Sequence, residues 1–337
     1  MNAEFDRRQP TQFIRSVYMR LAPSENPAPS AAPDEDYSAL ASEIVDIFYK
    51  IYGNHPGFRV NHAKGLVAQG HFVAAPTAAA LSRAALFDGS TIPFTVRFSN
   101  DGGFPAIPDG APGNIKGMAV KFHLPGGREV DIVMLAVKTF PMATGEGFRD
   151  LLWAISESPE GAPKPTALDE FAASHPTVSA SFDTAGTPDS FAHEQYYGLN
   201  AFIFVDGDGR RQAVRYIMAP EEIVYLSAEE AAQQSLDFLI DDLPQRIAKK
   251  PVLFHLTAQL AEAGDQTKDP SEPWSRDHRV VDLGVLTVDK VLVDSREVQK
   301  DLLFLPTNLT DGIELSDDRM PLIRTAVYGV AFARRTR

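Results

Sequence analysis

The sequence predicts an α+β fold, an antiparallel sheet or barrel with helices to one side. Three observations predict it. Apolar segments with strand-like alternation crowd the middle of the chain, at 65–73, 92–99, 117–124, 130–137, 199–205, 212–218, 252–260 and 285–293. Segments with helical spacing lie in blocks around them rather than alternating with them one by one. Pro125-Gly126-Gly127 and Asp206-Gly207-Asp208-Gly209 are turn sequences of the length that joins antiparallel neighbours.

The elements follow in order. Residues Ala22 to Asp36 are rich in Pro, Ala, Ser and Glu and have no apolar period, so 1–36 reads as an arm or linker and 37–337 as the folded domain. Leu40, Ile44, Ile47, Phe48 and Ile51 recur at helical spacing over Tyr37 to Tyr52, and Gly53-Asn54-His55-Pro56-Gly57 ends that helix. Pro76 opens a second helix, expected to run to Phe87. The stretch from Asn100 to Asn114 is rich in glycine and proline and reads as a loop, whereas Phe148 to Ile155 reads as a short helix. Ser156 to Thr187 reads as helical pieces on the surface. Ser227 and Glu230 form a capping box for a helix expected over Ser227 to Ala248. The last helix is expected over Asp318 to Arg335. The Asp206–Gly209 segment lacks the later glutamate of a calcium loop and reads as a hairpin turn.

Composition narrows the function. With 44% hydrophobic and 23% charged residues in 337, the chain is a globular protein whose core needs no staples. A net charge of -13 argues against a nucleic-acid surface and against an anionic membrane. The absence of cysteine excludes disulfides, thiolate catalysis and iron–sulfur clusters. No apolar run approaches a membrane span, and Met1 to Leu21 lacks a continuous apolar region of the signal-peptide kind. A cytoplasmic location is expected, or a periplasmic one if an export signal was trimmed from the start.

Two distant stretches carry chemistry. Arg324 and Tyr328 stand four apart and share one helix face. An arginine beside a phenol favours the phenolate, a hard anionic ligand for ferric iron. The plainer reading of the same spacing is an amphipathic helix with a tyrosine on its buried side. Upstream, His62 lies among small residues at the start of a strand, as a satisfied imidazole or a catalytic one. Ser99 ends another strand with a hydroxyl able to bond an imidazole nitrogen. Arg59, Arg97 and Arg335 stand near separate element ends, as carboxylate clamps or as solvated surface charge.

The ordered series of motifs resembles the haem catalase family, and more closely its short catalase-related peroxidase branch. The series comprises Arg59-Val-Asn-His-Ala-Lys-Gly65, Val96-Arg-Phe-Ser99, Gly117-Met-Ala-Val-Lys-Phe122 and Tyr197-Gly-Leu-Asn-Ala-Phe202. It continues with Asp269-Pro-Ser-Glu-Pro-Trp274, Asp282-Leu-Gly284, Phe304, Pro306, Asn308, Gly312-Ile-Glu314 and Arg324-Thr-Ala-Val-Tyr328. The resemblance implies a closed antiparallel β-barrel with surrounding helices and a haem b cofactor between the two. It implies that His62 is the distal histidine, Ser99 its hydroxyl partner, Tyr328 the iron ligand and Arg324 its charge partner. It places Arg59, Arg97 and Arg335 on the haem propionates and Phe148, by a looser alignment, against the haem ring.

One departure bears on mechanism. The family's distal asparagine has no counterpart in Asp131-Ile-Val-Met-Leu-Ala-Val-Lys-Thr-Phe140, where its place falls to Ala136 or Lys138. Asn61 is the candidate substitute for the amide. The sequence also ends soon after the tyrosine helix, without the wrapping segment and C-terminal helical domain of full-size catalases. The implied function is a peroxidase that reduces H2O2 or organic hydroperoxides at the expense of a small organic reductant, with weak catalase activity. The alternatives are a haem-binding protein with little turnover and an enzyme that rearranges hydroperoxides on the same fold. No nucleic-acid or membrane partner is expected, and a homo-oligomer is compatible with the sequence.

Overall fold

The computed structural model describes residues 36–336. The arm expected over 1–36 therefore lies outside the described residues, Asp36 aside. The strands are β1 (Gly65–Ala74), β2 (Thr91–Asn100), β3 (Lys116–His123), β4 (Glu129–Leu135), β5 (Tyr196–Tyr197), β6 (Phe202–Val205), β7 (Arg211–Pro220), β8 (Val252–Leu260), β9 (Val280–Val291) and β10 (Ile313–Leu315). The helices are α1 (Ser38–Tyr52), α2 (Pro76–Ala79), α3 (Gly145–Ser156), α4 (Ala167–Ser174), α5 (Pro176–Phe182), α6 (Ala228–Ala232), α7 (Phe238–Ile247), α8 (Ser295–Asp301) and α9 (Met320–Arg335).

All strand pairings are antiparallel. The order β7-β5-β4-β3-β2-β1-β9-β8 returns to β7, so eight strands close into a barrel. Closure leaves those strands no free edge. β6 and β10 extend the sheet outside the ring. The interior is aromatic: Phe72, Phe94, Phe98, Phe122, Phe254 and Tyr196 are all fully buried, and Phe98 stacks on Phe191 at 5.6 Å between ring centres.

A second apolar layer lies outside the barrel. Ala41, Ile44, Val45, Ile47 and Phe48 of α1 pack against Leu152 of α3 and Ile323, Ala326, Val327 and Val330 of α9. Within α1 and α9 these positions repeat at three and four residues, so each of those two helices presents one stripe. No helix among the described residues is long and apolar enough to cross a membrane.

Tertiary contacts override several local expectations. The helix opened by Pro76 stops at Ala79 instead of running to Phe87. There the chain turns so that Ser82 Oγ donates to Gly312 O and Arg83 N to Val205 O, which ties it to the strand extension. The capping box of Ser227 and Glu230 forms, yet the helix breaks after Ala232 and restarts at Phe238. The break offers the Leu236 carbonyl to Lys64 Nζ at 2.7 Å and the Leu239 N–H to Asp109 Oδ2 at 2.8 Å.

Asp109 is fully buried, lies 2.6 Å from Lys64 Nζ and accepts from Asn100 Nδ2 at 2.5 Å. Asp109→Ala is expected to lower stability by about 3–5 kcal/mol, because it leaves buried Lys64 with a weakened partner set. Denaturant unfolding measures this, and a midpoint equal to wild type would contradict it.

Candidate active site

His62 sits in the segment between α1 and β1, with φ of 53°, the one positive φ outside glycine among the described residues. Backbone held in this region by its surroundings marks a position under constraint. Arg97, on β2, donates from Nη2 to the His62 carbonyl at 2.8 Å. Ser99, two residues further on the same strand face, places Oγ 3.2 Å from His62 Nδ1. Gly117 lies opposite Ser99 in the β2–β3 register, and a Cβ there would stand 3.1 Å from His62 Cε1 and 2.9 Å from Ser99 Oγ. Glycine at 117 leaves room for the pair.

The other ring nitrogen, Nε2, is 3.5 Å from Asp101 Oδ1. Burial pulls His62 down to about 4; Asp101 opposes that shift, and Arg97, Arg324 and Arg59 add to it. The imidazole is therefore neutral and able to accept a proton near neutral pH.

On α9, Arg324 donates from Nε and Nη2 to the Tyr328 hydroxyl oxygen at 3.1 and 3.0 Å. Its Nη1 donates to Asn200 Oδ1 at 2.6 Å, and Asn200 Nδ2 donates to Asp318 Oδ2 at 2.7 Å. Burial raises Asp318 to about 6, against the bonds from Asn200 and Met320 and the charges of Arg324 and Arg215. This chain of bonds fixes the guanidinium over the phenol oxygen from the barrel side. Val60, two residues before His62, and Tyr328 both pack against the apolar layer of α1, α3 and α9, and the Arg324 charge acts on His62, so the two distant stretches come to one region.

Arg59, Arg97 and Arg335 also converge. Arg59 donates to Gln299 O and Leu302 O, Arg97 Nε to Gln299 Oε1, and Arg335 Nη2 to Lys300 O and Leu302 O. None has a carboxylate within ion-pair distance among the described residues, and Arg335 Nε is buried with no partner.. Burial lowers Arg97 to about 9 and Arg335 to about 10, and Arg335 further lowers Arg97. Burial also lowers Arg59, followed by the charges of Arg97 and Arg335. Gly65 makes the approach feasible, since a Cβ there would lie 2.7 Å from Arg97 Nη2. Three cations that repel one another, Arg97 buried and Arg59 and Arg335 half-buried, call for an anion with two or more charges.

A family model described as Catalase matches residues 56–337. The chain belongs to the catalase family. A catalase-related peroxidase from Mycolicibacterium paratuberculosis is 37% identical to it over 87% of this chain and 94% of that protein. A second catalase-related peroxidase, from Synechococcus elongatus, is 31% identical over 92% and 90%. The catalase of Latilactobacillus sakei is 26% identical over 83% of this chain and 62% of its own length. Solved structures of a bacterial and a fungal catalase share the fold, at TM-scores of 0.72 and 0.73 and 22% and 20% identity. Each covers 93% of this chain, and the chain covers 64% and 66% of them. The family makes this chain an oxidoreductase of the catalase and peroxidase kind, and a haem cofactor is expected of it.

The residues present in this catalase-family chain suit that cofactor. A porphyrin brings two carboxylates, which answers the unpaired arginines, and an iron, which answers a phenol held by two N–H donors. Phe148, on α3, is half-buried where three apolar clusters meet, 5.0 Å from Phe140 and 6.4 Å from Phe48 between ring centres. Ala136 is buried and Lys138 is exposed. Asn61 Oδ1 accepts from the Gly102 N–H at 2.7 Å. Sequence reasoning missed Asp101, Asn200, Gln299 and Asp318. Asn200 lies inside the Tyr197–Phe202 motif, which was signal enough to single it out; Asp101 sits two residues past Ser99 in a loop that gave none.

Proposed function

We propose that the chain is a haem-dependent peroxidase that reduces H2O2 or organic hydroperoxides and dismutates H2O2 weakly. The observation that carries this reading is the paired arrangement of a neutral His62 held by Ser99 and a Tyr328 hydroxyl held by both Nε and Nη2 of Arg324. Haem b, when bound, would supply the redox-active iron that reduction of a peroxide by a small organic reductant needs.

The chain's own residues do the rest. Arg59, Arg97 and Arg335 would bind the two propionates. Tyr328 would hold the iron as a phenolate stabilised by Arg324, and Asn200 with Asp318 keeps Arg324 there. His62 takes the proton of the peroxide O–H at Nε2 and returns it to the leaving oxygen, which departs as water or an alcohol. Ser99 fixes the ring at Nδ1 during both transfers. Dismutation needs a second peroxide held at the same place. Ala136 has no polar side-chain atom, Lys138 is exposed, and the Asn61 oxygen is engaged by Gly102. These features favour reductant oxidation over dismutation.

The test is a comparison on one haem-loaded preparation. Dye oxidation by H2O2 and by an alkyl hydroperoxide is expected to exceed oxygen release from H2O2 in turnover. A normal haem spectrum with neither activity would sink the proposal.

A further inference from the structure

We propose that Asp101 is the acid–base partner of His62, its carboxylate stabilising the imidazolium that forms when Nε2 takes a proton. The proposal deepens the function proposed above and rests on it. Asp101 acts through His62 and is a positioning residue in that sense.

The placement is built, not incidental. Asp101 lies two residues beyond Ser99, so both point to the same side of the strand line, while Asn100 between them turns to Asp109. Asp101 N donates to Ile115 O at 2.8 Å, and its carbonyl accepts from Asn114 Nδ2 at 2.9 Å. The next residue, Gly102, is tied to both neighbours of His62: its N–H donates to Asn61 Oδ1, and its carbonyl accepts from Ala63 N at 3.0 Å. The loop with the carboxylate and the segment with the imidazole therefore hold each other in register. These bonds also hold His62 at its unusual φ. This assigns Asn61 to fastening the loop that carries the carboxylate.

Chemistry explains why an acid suits this position. With Nδ1–H directed to Ser99, Nε2 is an acceptor, and it faces a carboxylate oxygen, a second acceptor, at 3.5 Å. That gap is too long for a direct hydrogen bond and too short to admit an oxygen atom between them, so a peroxide O–H meets the pair from the side. Once the proton sits on the ring, the same separation becomes an ion pair. The attraction exists only after transfer, so it favours the transferred state over the ground state. The charged groups acting on His62 are Arg97 from β2, Arg59 from its own segment, Arg324 from α9 and Asp101. Asp101 is the one anion among them. Among the described residues its ion-pair partner is His62 and no lysine or arginine.

The test is exchange of the imidazole Cε1–H, read for each histidine by mass spectrometry across pH, on the haem-loaded full chain. The inflection is read as a difference between wild type and variant, in the acid range set chiefly by the burial of His62. Asp101→Asn keeps the shape and the backbone bonds. It is expected to lower the His62 inflection by about 1–3 pH units, leave the other histidines in place, and slow the peroxide reaction about tenfold or more at unchanged haem content. Asp101→Glu is expected to restore both, and Asp101→Ser to behave like Asp101→Asn. An inflection that stays or rises in Asp101→Asn overturns the proposal. If His62→Ala slows the peroxide reaction while Asp101→Asn moves nothing, the role of Asp101 alone is wrong. If His62→Ala moves nothing either, the reading of the whole site is wrong.

Discussion

Replacing His62 by alanine is expected to slow the reaction with peroxide by about 10²–10⁴-fold, the usual loss when a positioned acid–base group is removed. Haem content is expected to stay unchanged, because His62 is not among the residues assigned to holding the cofactor. Stopped-flow mixing with H2O2, beside a haem assay on the same samples, measures both. The pH profile carries a sign. Burial is the largest cause of a His62 value near 4, so the ring is neutral and reactive above that value and already protonated below it. The rate is expected to be flat from neutral pH downward and to fall on an acid limb no lower than about pH 4. A rate that rises on acidification, or survives the alanine, removes His62 from the mechanism.

Tyr328→Phe is expected to be as large in a different observable. It deletes one oxygen, and with it the acceptor for both Nε and Nη2 of Arg324, leaving only the Asn200 bond to that side chain. A lost hydrogen bond to a charged group costs about 1.5–3 kcal/mol, and Arg324 is only 9% exposed, so a lower Tm is expected as well. The decisive reading is the visible spectrum of the haem-loaded variant. The high-spin ferric band of a phenolate-ligated haem is expected to disappear, with weaker haem retention. A spectrum matching wild type would mean that the iron is held elsewhere.

Much of the fold was legible because the barrel strands state themselves locally. β2, β3, β4, β7 and β8 alternate or run apolar over seven residues or more, and turn residues bound them. What escaped was set by partners far away in sequence. β5 is two residues long, too short for any period, yet Tyr197 pairs with Leu135 on one side and Ile217 on the other and so helps close the ring. The break between α6 and α7 looks like helix in sequence; Lys64 and Asp109, more than a hundred residues upstream, open it.

The candidate site divides in the same way. Arg324 and Tyr328 were legible because four residues is one turn. Arg59, Arg97 and Arg335 by spacing alone look like surface charge, and only the fold shows them gathered and partly or fully buried without carboxylates. Asp101 was silent because its meeting with His62 depends on the bonds that join Gly102 to Asn61 and Ala63.

The two faces of the site belong to different bodies. His62 and Ser99 are anchored to the sheet, whereas Tyr328 rides on α9, which is bedded on α1 and α3 by side chains with no chemistry. Ala41, Ala326 and Val330 act as shims between those helices: one methyl group more or less at such a position would shift α9 on its bed and carry the phenol with it. Rotation is far less forgiving than translation. A slip of α9 by a single residue would swing the phenol about 100° around the helix axis, and the Asp318 carboxylate that receives the Met320 N–H at 2.8 Å, with Pro321 behind it, is the stop that prevents it.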